Sequence, residues 1–444
     1  MPYISNTDEE RAKMLAELGL NSIEELFKDI PSDLMSSSFN IPKGKSELEI
    51  RRFVKELASK NVTDLTCFLG GGFYDHFVPA AVGAITSRSE FYTAYTPYQA
   101  EVSQGILQSI YEYQSAISLL TEMDVTNASL YDGGTAICEA VMMAVRITRR
   151  KKIIIDETVS PIYRKILHSY AANLDFEFID VPVGKDGRAD RKMIESELDN
   201  NTACLVLQNP NFFGCVDDIT DLADLAHKSG SLAILSIYPI SLGILKSPKE
   251  MNVDIATGEG QSLGLGLCFG GPYLGLMTTR SKYLRQMPGR IVGETVDKDG
   301  NRGFVLTLQT REQHIRRKKA TSNICSNEAL CALAALVYLT LVGKHGLIEL
   351  AELCSSKACY ARKKLLEIPG IKQKFKSPIF NEFVLELPID AEDAVSKLMR
   401  KKIMAGLPLG RYYKNMKNCM LVALSEKRTK KEIDFFVASL GEIL

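Results

Sequence analysis

Across residues 61–322, short apolar runs alternate with stretches whose apolar residues recur at helical spacing. That alternation constrains the fold more than any other feature of the chain. Residues 152–156 (KIIID), 203–207 (ACLVL) and 232–235 (LAIL) are continuous apolar runs of strand length, as expected of strands covered on both faces. Between the last two lies 218–229 (DITDLADLAHKS), amphipathic with a helical period and followed by Gly230 as a C-terminal cap. Helical crossovers return the chain to one sheet, so the expected class is α/β, a mostly parallel sheet with helices on both faces.

The flanks read differently. Near the start, Asp8, Glu9 and Glu10 open a helix through Met14, Leu15 and Leu18 that Gly19 closes; a second begins at Ser22 and ends near Pro31. Residues 44–60 place Leu48, Phe53, Val54 and Leu57 on one helical face. After Asn323 a long apolar helix, 328–340, leads to strand runs at 383–387 and 419–424, with helices over 391–401 and from Lys431. At 444 residues the chain exceeds one compact core. The expected organisation is a helical N-terminal arm (1–60), a large domain (61–325) and a small α+β C-terminal domain (326–444). The arm packs either on its own domain or on a neighbouring subunit.

Charge excludes some classes. Lys+Arg and Asp+Glu both number 54, so no net field favours nucleic acid or a membrane surface. The apolar run 329–342 is too short to span a bilayer. Ten scattered cysteines without paired metal spacing, behind a polar opening segment, are expected to be reduced thiols of a cytoplasmic protein.

Five segments have the makings of chemistry. Asp132-Gly133-Gly134-Thr135 opens a helix after a strand-like 128–130. A glycine-rich helix N-terminus can hold phosphate, yet Asp132 is also a good N-cap whose carboxylate repels a dianion. Residues 70–76 (GGGFYDH) lack the Gly-Lys-Ser/Thr ending of a nucleotide loop, and His76 reads first as a structural histidine. Residues 95–105 gather Tyr95, Tyr98, Gln99, Glu101 and Gln104 around a proline turn, either as a plain loop before a helix or as a pocket lining. Residues 309–323 hold Arg311, Glu312, His314, Arg316, the basic run 316–319, and Thr321. That run is expected as a solvated helix face, or as a phosphate attractor. Finally, 254–275 (DIATGEGQSLGLGLCFGGPYLG) has seven glycines and no lysine.

This last segment and its surroundings resemble the large domain of pyridoxal-phosphate (PLP) enzymes of the aspartate-aminotransferase type, fold type I. The resemblance implies an imine-forming lysine about where Gln261 stands, and an aspartate near Ser236 to pair with the pyridine nitrogen. An amide forms no imine with an aldehyde. The stretch 309–323 is similar to that of cysteine-desulfurase-like enzymes, in which a threonine, here Thr321, reaches the phosphate of the partner subunit's cofactor.

More closely, GGGFYDHFVP, YTPYQAEVSQGILQ, GEGQSLGLGLCFGGPYLG, MPGRIVG and LQTREQHIRRKKATSNIC resemble the P-protein family of the glycine cleavage system. They match its α-subunit, or N-terminal-half, type from Pro2 onward. The resemblance implies glycine dehydrogenase (aminomethyl-transferring) built from α and β subunits, with PLP held covalently by β. Glycine is decarboxylated, and its aminomethyl group passes to the lipoyl arm of H-protein. The α chain would buttress the β site, α2β2 being the expected assembly. Its candidates for lining that site are Tyr95, Tyr98, Gln99, Glu101 and His314, with Thr321 and Arg316 toward the cofactor across the interface. Two rivals stand beside this. One is a self-sufficient PLP enzyme using Lys246 or Lys282. The other is a silent scaffold that stabilises β and docks H-protein.

Overall fold

The structure is a computed structural model that describes residues 5–36 and 40–444; Met1–Ile4, part of the polar opening, lies outside the described residues. The chain forms two compact units, Met1–Thr63 and Asp64–Leu444.

In the first unit, helix α1 (Asp8–Glu17) and helix α2 (Glu47–Ala58) each start at a capping box. Thr7 pairs reciprocally with Glu10, and Ser46 with Glu49, which satisfies donors that a helix start leaves open. The helix expected from Ser22 is instead a single 3-10 turn, Glu24–Phe27, too short for an apolar face. Neither α1 nor α2 contains a buried residue, and no described residue of this unit is buried.

The second unit is built on a seven-stranded sheet: β1 (Val125–Thr126), β2 (Lys152–Asp156), β3 (Glu177–Val181), β4 (Thr202–Asn209), β5 (Leu232–Ile237), β6 (Ile255–Glu259) and β7 (Gly275–Thr279). Its order is β1-β7-β6-β5-β4-β2-β3, and only β7 runs antiparallel to its neighbours. Strands β2, β4 and β5 are the three apolar runs read from the sequence, almost wholly buried because helices cover both faces. The 128–130 segment is no strand. Leu130 makes one bridge to Gly275, and Ser129 turns the chain with φ 110°. Helix α3 (Gln104–Thr121) and helix α4 (Gly133–Thr148) follow the tyrosine-rich loop and the Asp132 turn.

A hairpin, β8 (Ile291–Val296) with β9 (Arg302–Thr307), precedes helix α5 (Ala329–Leu365), which bends at Gly343, where φ is 61°. The helix is nearly three times the expected length, and by length and composition alone it could cross a membrane. Its apolar face is that of a core helix. Ala332, Ala335, Tyr338 and Ala351 pack with Tyr238 and Phe380, while Ala358, Ala361 and Leu365 pack with Phe68 and Phe383. A four-stranded antiparallel sheet, in the order β10 (Lys372–Gln373), β11 (Glu382–Glu386), β13 (Cys419–Ala423) and β12 (Leu407–Pro408), completes the unit. Thr66–Cys67 pairs in parallel with Ile403–Met404, so the start of this unit is woven into its end.

Candidate functional site

Two places in the second unit carry chemistry. The first is the cup at the N-terminus of α4. Asp132 caps that helix, its Oδ1 accepting from Thr135 N–H at 2.8 Å, as the capping role requires. The cup itself is filled by Glu259, the last residue of β6. Its Oε2 accepts the Gly133 N–H at 2.9 Å, and its Oε1 accepts the N–H groups of Gln261 (3.0 Å) and Leu274 (3.2 Å). Burial without a counter-cation pushes this carboxyl up to about 8, against those backbone donors.

Gln261 is equally committed. Its Oε1 accepts the Tyr74 N–H at 2.9 Å, and its Nε2 donates to the carbonyls of Tyr74 (3.1 Å) and Leu265 (2.8 Å). Tyr74 in turn donates its hydroxyl to Glu382 at 2.7 Å, and Glu382 also accepts the Gly71 N–H at 2.6 Å. Burial raises Glu382 to about 7. Tyr163 closes the remaining space, its hydroxyl 2.8 Å from where a side chain on Gly133 would begin. Ser236 lies inside β5, buried, in register with Thr257 of β6. This cup does not fit PLP. The Gly133 N–H that a phosphate would need already meets a carboxyl group, and the residue where the resemblance expects an imine-forming lysine is an amide fixed by backbone groups.

His76 sits beside this region as a satisfied structural histidine. Nδ1 contacts Glu426 at 2.6 Å, and Nε2 contacts the Tyr238 hydroxyl. Lys246 and Lys282 are surface charges: Lys246 pairs with Asp218 at 2.5 Å, Lys282 lies 3.8 Å from Asp254, and both are more than half exposed.

The second place is a cleft lined by Pro288, Gly289, Arg290, Arg311, Glu312, Thr321, Ser322 and Ser326. Arg290 is 3% exposed. It donates from Nη2 to the Tyr98 hydroxyl (2.9 Å) and from Nη1 to Ser326 Oγ (3.2 Å), with its guanidinium 5.3 Å from the Tyr98 ring centre. Glu312 lies 3.5 Å from Arg290 Nε and 3.6 Å from His314 Nδ1. The His314 ring meets Tyr98 edge-on at 5.5 Å.

Thr321 lines this cleft, and Tyr98 and His314 pack against its lining residues Arg290 and Glu312 and against each other. Tyr95 is 86% exposed and stands at an adjoining cavity of about 260 Å³, together with Phe91, Tyr92, Leu330 and Ser326. Ser326 is common to both. Gln99 and Glu101 are exposed around the 3-10 turn Ala100–Val102 and line neither space. Arg316 is exposed and donates from Nε to the Thr310 carbonyl at 3.0 Å, away from the cleft. The basic run is not a helix face: it divides between a four-residue helix, Gln313–Arg316, and a 3-10 turn, Arg317–Lys319, because Arg317 takes φ 51°. Nor does Thr321 cap a helix, since the next helix has Glu328 as its N-cap. Of the groups at this cleft, Arg290 stands in the sequence only inside the MPGRIVG motif, and Arg311 and Glu312 only as members of the dense 309–323 segment; their burial against one another is visible only in the fold.

Comparison with known proteins supplies the frame for these two places. The family model described as glycine cleavage system P-protein matches residues 1–440. The probable glycine dehydrogenase (decarboxylating) subunit 1 of Maridesulfovibrio salexigens is 52% identical over 440 residues, covering 99% of each chain. That of Nitratidesulfovibrio vulgaris is 52% identical over 444 residues and all of both chains. Among solved structures, an inhibitor-bound glycine decarboxylase (P-protein) of the glycine cleavage system superposes with a TM-score of 0.92 at 39% identity, over the whole of both chains. A sphingosine-1-phosphate lyase of Burkholderia pseudomallei (TM-score 0.66, 14% identity, 93% of each chain) shares the fold alone. On the family match and these identities, the chain belongs to the glycine cleavage system P-protein family.

Proposed function

We propose that this chain is the non-anchoring α subunit of glycine dehydrogenase (decarboxylating) and works only with a β subunit that holds PLP covalently. The observation that carries this is the filled cup. Glu259 takes the helix N–H group of Gly133, and Gln261 is locked to Tyr74 and Leu265, so this chain offers PLP neither a phosphate cradle nor an amine. Its relatives are subunits named "subunit 1", which fits a divided enzyme.

PLP bound in β supplies the electron sink for loss of CO2 from glycine. What this chain adds is positioning. The Arg290 guanidinium holds the Tyr98 hydroxyl and ring in one orientation, and Tyr98 orients His314 by edge contact. Thr321, in the lining of the same cleft, would offer a hydroxyl to the phosphate of PLP held by the β subunit. The cavity beside Tyr95, lined in part by Phe91, Tyr92 and Leu330, is the surface we assign to the approach of a lipoyl arm carried by H-protein.

The test is activity of each chain alone and mixed, read as exchange of bicarbonate into glycine. Exchange by the mixture and by neither chain alone is the expected result. A yellow, glycine-decarboxylating isolated chain overturns the proposal. Normal exchange by complexes carrying Tyr98→Ala or His314→Ala favours the scaffold reading.

A further inference from the structure

The connection from β6 to β7 begins beside Gln261 and carries an apolar tip into solvent. Residues 260–279 contain no charged side chain, yet residues 266–270 are exposed. Phe269, within that exposed run, is the most exposed large apolar side chain among the described residues, and Leu267 beside it is exposed as well. Surface loops are ordinarily built from polar and turn-forming residues. A fully hydrated phenyl ring adds nothing to the fold that carries it, because its stabilisation comes only with burial.

The loop is nevertheless tied down. Its feet, Leu263 and Leu274, are buried. Gln261 donates from Nε2 to the Leu265 carbonyl at 2.8 Å, and the Leu265 N–H donates back to the Gln261 carbonyl at 3.1 Å. The Tyr273 ring stacks on Phe73 at 4.5 Å, while its hydroxyl donates to the Leu267 carbonyl at 2.8 Å. That carbonyl also accepts the Gly270 N–H at 3.2 Å. Between these ties Cys268 and Phe269 take φ of 38° and 53°, a region that residues with a Cβ avoid. The fold thus holds a strained backbone where the side chain lies wholly in solvent. Strain that persists without a contact of its own chain to justify it points to function.

The chemistry of the tip narrows what covers it. Interfaces between permanent partners are more apolar than transient ones and depleted of charge at their centres, where aromatic anchors fill pockets. A carrier such as H-protein must leave after each turnover, whereas a second subunit stays. We propose that residues 266–271 form a preformed docking knob whose Phe269 ring seats in an apolar pocket of the β subunit. The inference rests on the divided-enzyme reading above. It also gives Gln261 a use: where the resemblance expects a lysine for the cofactor, the amide ties the base of the knob.

The experiment titrates this chain, carrying a fluorescent label, with its β chain and reads the dissociation constant. Phe269→Ala should raise that constant about thirtyfold, as loss of an aromatic anchor does, and leave the melting temperature of the isolated chain unchanged. Phe269→Leu should recover part of the affinity. Tyr273→Phe keeps the stack on Phe73 and removes only the tie to Leu267. It should weaken association about threefold, because the loop must then be ordered on binding. Phe269→Ala that binds β as tightly as the parent overturns the proposal. So does unchanged affinity for β with a raised KM for H-protein, which would assign the ring to that carrier. If the parent chain itself does not associate with β, the divided-enzyme reading fails and the inference with it; equal binding by parent and variant removes the knob alone.

Discussion

The cup at Gly133 and the cleft at Arg290 belong to one compact unit, and they treat their polar groups in opposite ways. In the cup, Glu259, Gln261 and Glu382 accept or donate at every turn to backbone groups of their own chain. In the cleft, Arg290 Nε, Arg311 Nη1 and Glu312 Oε1 are buried without a hydrogen-bond partner among the described residues, although Arg290 Nε stands 3.5 Å from Glu312 Oε2. A buried polar network that is internally complete stabilises and specifies a fold, whereas an incomplete one is costly unless something else completes it. By this measure the cup serves as structure, while the cleft keeps unmatched polar groups, which is why the proposed function places the shared site there.

The comparison is easiest to break at Glu259. Glu259→Ala would leave the N–H groups of Gly133, Gln261 and Leu274 buried without an acceptor, at about 1–3 kcal/mol each. We expect the largest loss of stability here, several kcal/mol by urea unfolding. A loss below about 1 kcal/mol would mean that the cup is not the structural element described.

Glu382 sharpens the same side through pH. Burial raises it from its ordinary 4.5 to about 7, so the folded state keeps a proton that the unfolded chain releases. That contribution is complete below about pH 4.5 and is lost as the pH rises through about 7. Glu382→Gln keeps an acceptor for Gly71 and removes the titration. Between about pH 5 and pH 8 the variant should lose less stability than the parent, by on the order of 2 kcal/mol. Parallel stability profiles would contradict a neutral buried carboxyl.

On the cleft side, Thr321→Ala should weaken PLP retention by the assembled complex several-fold, about 1 kcal/mol, while the melting temperature of this chain stays within a degree or two. Cofactor affinity unchanged by the substitution would remove Thr321 from the shared site. The smallest effect belongs to Lys246, an exposed ion pair. Lys246→Ala should change stability by less than about 1 kcal/mol and leave exchange activity intact. Loss of activity there would revive the self-sufficient enzyme.

Much of the large sheet was legible in the chain. β2, β4 and β5 are read directly from KIIID, ACLVL and LAIL, because strands buried on both faces need unbroken apolar runs. The helix at Ala329 was read at a third of its length, because its second part continues past the bend at Gly343, which no local pattern marks as a continuation. The 128–130 segment misled for a different reason: apolar and short, it is turned by Ser129 into a bridge whose partner is 145 residues away (275 − 130). Within the site, Tyr98, His314 and Thr321 were singled out from local density of polar and aromatic groups, and the structure gathers them. Gln99, Glu101 and Arg316 shared that density and lie outside the cleft.

What the sequence by itself determined is a chemical incapacity. No lysine stands in 254–275, and Gln261 cannot form an imine, whatever the surrounding fold. Only the tertiary structure decided what fills the vacated place and where unmatched charge remains. Glu259 meets Gly133 across 126 residues, and Arg290 meets Tyr98 across 192. Burial and hydrogen-bond satisfaction arise from such distant pairings, and no local pattern encodes which donor a folded chain will leave open.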